Sequence, residues 1–205
     1  MGLDRAWPWL LGCLLGGYLL GSIPFGLILA RLLGLGDPRR IGSGNIGATN
    51  VLRTGHRGAA AATLVLDMAK GFAAVALAHA LYGPLPGQIA GLGAFLGHVF
   101  SPWLGFRGGK GVATFIGILA GLSWGAGALA CLTWLGMAAA LRYSSLSALV
   151  MALLSPVWLY LVGARDALWL GVLLTIAIFL THRANIARLF AGTEPRIGQT
   201  SGSLH

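Results

Sequence analysis

Charge is scarce in this 205-residue chain: 9% of its residues are Asp, Glu, Lys or Arg, against about 25% in an ordinary soluble domain. Little of it can face water, so neither a soluble domain nor a disordered chain fits. Acidic residues are rarest, 5 against 14 Lys plus Arg, which leaves a net charge of +9. Only two cysteines occur, Cys13 and Cys131. Both fall in apolar stretches without CxxC or Cys/His spacing, so a disulfide scaffold, a metal centre and a redox function have no support, and no cofactor is expected. No internal repeat is visible, which weakens an inverted-repeat transporter reading. Nucleic acid is a poor partner, because no soluble surface remains to carry a basic stripe. In a membrane chain such positive charge marks cytoplasmic loops, anionic headgroups or anionic substrates.

Apolar residues and glycine are abundant instead: 57% of the chain is hydrophobic, 33 residues are Gly, and the mean hydropathy is +0.81. The first apolar run, Trp7 to Leu33, would be ~40 Å long as a helix, more than a ~30 Å hydrocarbon core requires. Its head pairs Asp4 with Arg5 and no A-x-A site follows, so it reads as a tilted span rather than a signal peptide. Further runs cover Ala59 to Tyr82, Gln88 to Leu104, Gly111 to Trp124, Ala126 to Leu141, Leu146 to Val162 and Ala167 to Thr181. The expectation is an all-α integral membrane protein of seven spans, a single domain over residues 1–191 followed by a polar tail, 192–205. The basic residues agree with it. Arg39, Arg40, Arg53 and Arg57 follow span one, Arg107 and Lys110 span three, Arg142 span five, and Arg183, Arg188 and Arg196 span seven. Every cluster follows an odd-numbered span, which places the N-terminus outside and the C-terminus in the cytoplasm. Gly12 and Gly16, Gly17 and Gly21, and Gly117, Gly121 and Gly125 recur at four-residue spacing, the pattern that lets helix backbones approach closely.

Three polar segments share the cytoplasmic face. In IGSGNIGATNVLR, Ile41 to Arg53, the glycines satisfy G-x-G-x-x-G, but Asp37, Pro38, Arg39 and Arg40 stand where a dinucleotide fold needs a buried strand. What remains is Gly44 among exposed backbone amides, Ser43, Asn45, Thr49 and Asn50 as donors, and Arg53 as a cation, a composition that suits an oxyanion. The same composition also suits a flexible turn. GHVFSPWLGFRGGKGVAT, Gly97 to Thr114, wraps Gly108, Gly109 and Gly111 around Lys110; it is not a Walker A loop, yet it opens a helix with free amides beside an ammonium and the bidentate donor Arg107. A basic stop-transfer loop explains the charges but not the glycines. His98 lies about two turns inside its span. In THRANIARL, Thr181 to Leu189, His182, Asn185 and Leu189 fall on one helical face, which also suits an amphipathic surface helix.

Asp67 and Lys70 stand at i, i+3 inside span two and can pair; Lys70 is either half of a buried ion pair or a ligand of the anion. Ser144, Ser145 and Ser147 open span six, as helix caps or as further donors.

Taken together, GSIPFG at Gly21, GSGNIGATN at Gly42, LDMAKG at Leu66, GFRGGKGVAT at Gly105 and HRANIARL at His182 resemble, in order, the motifs of the bacterial acyl-phosphate:glycerol-3-phosphate acyltransferases, the PlsY family. The resemblance runs through almost the whole chain. It implies seven transmembrane helices in the bacterial inner membrane with a cytoplasmic active site. The reaction implied moves a long-chain acyl group from acyl phosphate to the 1-hydroxyl of sn-glycerol 3-phosphate, giving lysophosphatidic acid and phosphate, the first step of phospholipid synthesis. Carried over by motif, the site residues are Ser43, Arg53, His98, Arg107, Lys110, Ser145, His182 and Asn185, and Glu194 matches a glutamate with a structural role. Arg107 replaces a lysine common in the family's second motif, which keeps the charge and changes the geometry. The family's donor is made by a soluble acyl-phosphate synthase, a candidate partner beside membrane lipid.

The H-x4-D pair of other glycerolipid acyltransferases is absent from the sequence: neither His98 nor His56 has an aspartate four or five residues on. The hydroxyl proton then goes to His98, to His182 or to a substrate phosphate oxygen, and Ser43 is a phosphate donor or, without a neighbouring base, a less suited nucleophile. A phosphate or glycerol-phosphate transporter is the competing reading.

Overall fold

The computed structural model describes residues 3–42 and 44–198; the expected roles of Ser43 and of the tail's end fall outside them. The described residues are helical, with no strand among them. Helices α1 (Leu3–Gly21) and α2 (Phe25–Leu32) form one broken span; a short α3 (Ala48–Leu52) precedes α4 (Arg57–Tyr82) and α5 (Pro84–Val99). Then follow α6 (Val112–Leu122), α7 (Trp124–Leu141), α8 (Ser144–Leu161), α9 (Leu168–Thr181) and α10 (Arg183–Phe190). A helix occupies every expected apolar run, but their lengths are unequal. Among the described residues Trp7–Leu32, Arg57–Tyr82, Trp124–Leu141 and Ser144–Leu161 are long and apolar enough to cross a membrane, and α9 with α10 makes a fifth candidate, bent by 62°. α6 has 11 residues, about 16 Å at 1.5 Å per residue.

The break in the first span has a local cause. Pro24 has no amide hydrogen to donate and its ring opposes a continuous helix, which frees carbonyls near Ile23. Lys70 on α4 answers one of them: its Nζ donates to the Ile23 carbonyl at 2.9 Å and pairs with Asp67 at 2.8 Å. Lys70 is buried there, 5.8 Å from the Phe25 ring centroid. Of the two readings of Lys70, the structure shows the buried ion pair, whose ammonium also secures the α1–α2 break.

α5 is the central helix, packed against α1 on one side and α4 on the other, with α6 against α4. Small residues set these distances. A Cβ on Gly17 or Gly21 would overlap the Ala90 or Ala94 backbone of α5, and one on Gly93 or Gly97 would overlap the α1 backbone at Leu14 or Tyr18. Gly117 lies equally close to Met68 of α4, whereas Gly12 and Gly16 face open space. The expected close approach thus holds for one glycine pair of α1 and not for the other. Gly97→Val should sharply lower the yield and midpoint of thermal unfolding in detergent while Gly16→Val leaves both unchanged, because only the first forces two backbones apart.

Phe95, Phe115, Ile118, Leu119, Met151, Leu159, Leu170, Leu174 and Ile178 fill the core between α5, α6, α8 and α9. The outward faces are also apolar, with Leu77, Leu81, Leu132, Leu161 and Leu180 all more than 60% exposed. Such a belt suits a lipid surround rather than water.

Candidate active site

The loop between α2 and α4 is tied into shape by one asparagine. Asn50 is buried, and its Nδ2 donates to the carbonyls of Pro38, Ile41 and Asn45 at 2.5, 3.1 and 2.6 Å. Its Oδ1 accepts from Arg53 Nη1 at 3.3 Å. The amide expected to donate to an anion thus organises the loop and steadies the guanidinium that can. Gly42, at φ +54°, leaves room for this: a Cβ would strike Arg53 Nη1. Thr49 Oγ1 lies 3.1 Å from Ser144 Oγ and ties the loop to the start of α8.

The glycine-lysine segment turns back under α5. Gly108 and Gly109 donate their amides to the Val99 and His98 carbonyls at 2.9 and 3.0 Å, satisfying orphan acceptors at the helix end. Both amides, expected to cradle a phosphate, are therefore already bonded. A Cβ on Gly108 would overlap the His98 carbonyl, one on Gly109 the His98 imidazole, and one on Gly111, at φ +87°, the Phe95 ring. The glycines exist for close packing around His98 and Phe95, and they deliver Lys110 and the first turn of α6 to the site. Gly109→Ala should consequently lower turnover by pushing the His98 ring aside, with little change in the Michaelis constant for glycerol 3-phosphate; steady-state kinetics on folded protein separates the two. Arg107 is exposed beyond this turn.

The third segment supplies the acceptors. His182 sits at the bend between α9 and α10, its Nδ1 2.8 Å from the Ile178 carbonyl. A carbonyl only accepts, so Nδ1 carries the hydrogen and Nε2 the lone pair. Burial and the Lys110 charge, partly offset by the Ile178 bond and Glu194, push its pKa down to about 4, so His182 is neutral at pH 7. Asn185 Oδ1 accepts from Lys110 Nζ at 2.5 Å, and its Nδ2 donates to Glu194 Oε1 at 2.6 Å. Arg188 Nε completes the chain at 2.7 Å from Glu194 Oε2. Burial would raise the pKa of the Glu194 carboxyl, but Ser145, Asn185 and Arg188 outweigh it and hold the group below its ordinary value. The Ser145 hydroxyl is buried and forms no hydrogen bond of ordinary geometry among the described residues, and the Glu194 carboxylate is the acceptor that it helps to keep ionised. Thr181 Oγ1, 3.1 Å from the Lys110 carbonyl, closes the circuit from the other side.

Most of these groups, though not Arg188 or Thr181, line one cavity of about 470 Å³. Its polar lining includes Asn45, Thr49, Asn50, Arg53, His98, Lys110, Gly111, Ser144, Ser145, His182 and Asn185. Gly44, Lys70, Arg107, Gly108 and Gly109 lie off its wall. Its apolar lining includes Leu64, Met68, Ile116, Cys131, Trp134 and Leu135 from α4, α6 and α7. Burial pulls Lys110 down to a pKa of about 8, with Glu194 opposing and Arg188 and Arg53 assisting. Burial likewise lowers Arg53, which stays cationic throughout.

The profile described as glycerol-3-phosphate acyltransferase matches residues 11–192. The chain belongs to this family. The enzyme so named from Mesorhizobium japonicum is 59% identical over 182 residues, 89% of this chain and 93% of the relative. That from Ruegeria sp. strain TM1040 is 61% identical over 183 residues, covering 89% and 91%. Among solved structures, the glycerol 3-phosphate form of PlsY, an integral membrane glycerol 3-phosphate acyltransferase, superposes with a TM-score of 0.87 at 36% identity, over 92% of this chain and 96% of that one. The lysophosphatidic acid form of PlsY gives 0.85 at 35% identity, over 92% and 95%.

In this acyltransferase fold two acids complete the site that the span-end segments begin. Glu194 belongs to the polar tail, whose described residues fold back so that Glu194, Pro195, Ile197 and Gly198 form part of the cavity wall; the backbone amide of Ile197 donates to the Arg142 carbonyl at 2.7 Å. Residues on both sides of position 191 thus contribute to the cavity wall. Asp67 reaches the cavity from inside α4. The signal for Glu194 was a lone acid among arginines; that for Asp67 was an intramembrane carboxylate.

Proposed function

We propose that this chain transfers a fatty acyl group from acyl phosphate to the 1-hydroxyl of sn-glycerol 3-phosphate, releasing 1-acyl-glycerol 3-phosphate and phosphate. The observation that carries the reading is that one cavity brings together Arg53, Lys110 and the first turn of α6 with apolar residues of α4, α6 and α7. A phosphate held by a cation and by amides without intrahelical acceptors is well placed at the polar part. An acyl chain suits the apolar part. Acyl phosphate is already activated, so the protein contributes chiefly charge neutralisation and alignment. The glycerol 3-phosphate and lysophosphatidic acid forms of PlsY support the acceptor and the product.

The same reading puts seven spans in the bacterial inner membrane, the N-terminus outside and the cavity on the cytoplasmic side, where a soluble acyl-phosphate synthase supplies the donor. A cysteine introduced near Gly36 should resist an impermeant thiol reagent applied to intact cells, and one near Leu85 should react; labelling at Gly36 reverses the orientation. The decisive assay gives purified protein palmitoyl phosphate and labelled glycerol 3-phosphate without acyl carrier protein or coenzyme A. Labelled lysophosphatidic acid is expected, and a transporter would yield none.

A further inference from the structure

A second cavity, of about 620 Å³, is formed by α8, the end of α9, α10 and the start of the tail. Tyr143, Leu146, Val150 and Leu153 of α8 line it together with Ile186 and Leu189 of α10. It shares one lining residue with the acyl-transfer cavity, Glu194. From Tyr143 to Leu153 the groove follows α8 for about 15 Å, half of a ~30 Å hydrocarbon core. Its wall is open to the outside, with Leu153 60% exposed and Phe190, at the end of α10, 91% exposed. The part of the groove at Tyr143 and Glu194 is basic. Arg188 Nε bonds Glu194 Oε2 at 2.7 Å, Arg196 Nε donates to the Tyr143 hydroxyl at 3.3 Å, and the Arg196 guanidinium lies 5.5 Å from the centre of that ring. Arg142, which precedes Tyr143, is exposed and donates from Nη2 to the Ile197 carbonyl at 3.1 Å. Three arginines against one glutamate leave a surplus of positive charge. Among the described residues the Arg188 side chain bonds only through Nε, and it is 36% exposed.

We propose that this groove seats an anionic phospholipid of the surrounding bilayer, with one acyl chain along α8 and the headgroup phosphate against Arg188 and Arg196. The groove opens from the apolar belt that suits a lipid surround, so a lipid chain reaches it without crossing water. A phosphate answers the basic part, because guanidinium groups pair with phosphate oxygens two at a time. A zwitterionic headgroup would bring its own cation against the arginines. The course of α10 agrees: it bends 62° from α9 and carries Ile186, Leu189 and Phe190 beside Arg183 and Arg188, the composition of a helix that follows the bilayer surface. The seat is separate from acyl transfer, since Val150, Leu153 and Arg196 do not line the acyl-transfer cavity. It adjoins that cavity through Glu194, whose Oε1 accepts from Asn185 Nδ2 at 2.6 Å.

Native mass spectrometry of the purified full chain in detergent, given dioleoyl phosphatidylglycerol and dioleoyl phosphatidylcholine in equal amounts, reads the occupant. The wild type should retain one phosphatidylglycerol with a preference of roughly twentyfold, the product of two arginines near an anionic headgroup. Arg196→Gln should weaken that retention about fivefold. Leu153→Trp puts a larger ring into the groove from an exposed position and should abolish it. Because a ligand of the folded state stabilises that state, phosphatidylglycerol should also raise the midpoint of thermal unfolding of the wild type and leave that of Leu153→Trp unchanged. Equal retention of the two lipids by the wild type overturns the proposal, whatever the variants do, since the groove then takes bilayer lipid of any charge. Unchanged retention in Leu153→Trp, folded with a wild-type midpoint, overturns it too, because the arginines then hold a headgroup without the groove. A dimer that carries no lipid gives the groove to a second copy of the chain and refutes the lipid seat. Each of these measurements is independent of whether acyl phosphate is the donor.

Discussion

Lys110→Met should abolish most of the acyl-transfer activity, with kcat/KM down by at least a hundredfold. Methionine keeps the length and apolar stem of lysine and removes only the ammonium. That ammonium lies at the junction of the glycine turn, Asn185 and the cavity, and loss of one preorganised charge-stabilising donor costs about 3 kcal/mol. Wild-type enzyme should show the same dependence through pH. Burial favours the neutral amine and brings Lys110 to about 8, so the cation is present below that value and lost above it. The Michaelis constant for glycerol 3-phosphate should therefore rise as pH passes from 7 to 9, and the rise should vanish in Lys110→Met. A flat profile in the wild type would place the phosphate elsewhere.

Arg53 gives the second large effect. It lines the cavity and is braced by Asn50, so Arg53→Ala should lower turnover about a hundredfold at saturating substrate. Arg53→Lys should recover only part of it, because an ammonium cannot reproduce the planar two-pronged contact with a phosphate. Turnover per folded molecule distinguishes this from a headgroup anchor, for which lysine would substitute fully and alanine would reduce expression more than activity.

Asn50 shows where a motif misleads. In the sequence it is one of several donors in a glycine-rich loop; in the structure its Nδ2 satisfies three carbonyls of that loop and its Oδ1 supports Arg53. Gly109 is similar: its amide closes the end of α5 and its missing side chain makes room for His98. Residue types that suit an anion also suit a tight turn, and composition cannot distinguish a donor aimed at a ligand from one aimed at a carbonyl of the same loop.

The sequence by itself determined the membrane class, the approximate positions of the apolar helices and the grouping of Arg53, Lys110, His182 and Asn185 at span ends. Those follow from hydropathy and from the placement of positive charge, which act along the chain and survive without tertiary contacts. Tertiary structure decided which of these groups meet. Asn185 links Lys110 to a glutamate of the tail, and Lys70 serves a proline break 47 residues away. Asp67 comes to His98 only because α4 packs on α5. Such pairings join residues far apart in sequence, and they are set by how closely small side chains let two helix backbones approach, a distance that no local pattern encodes.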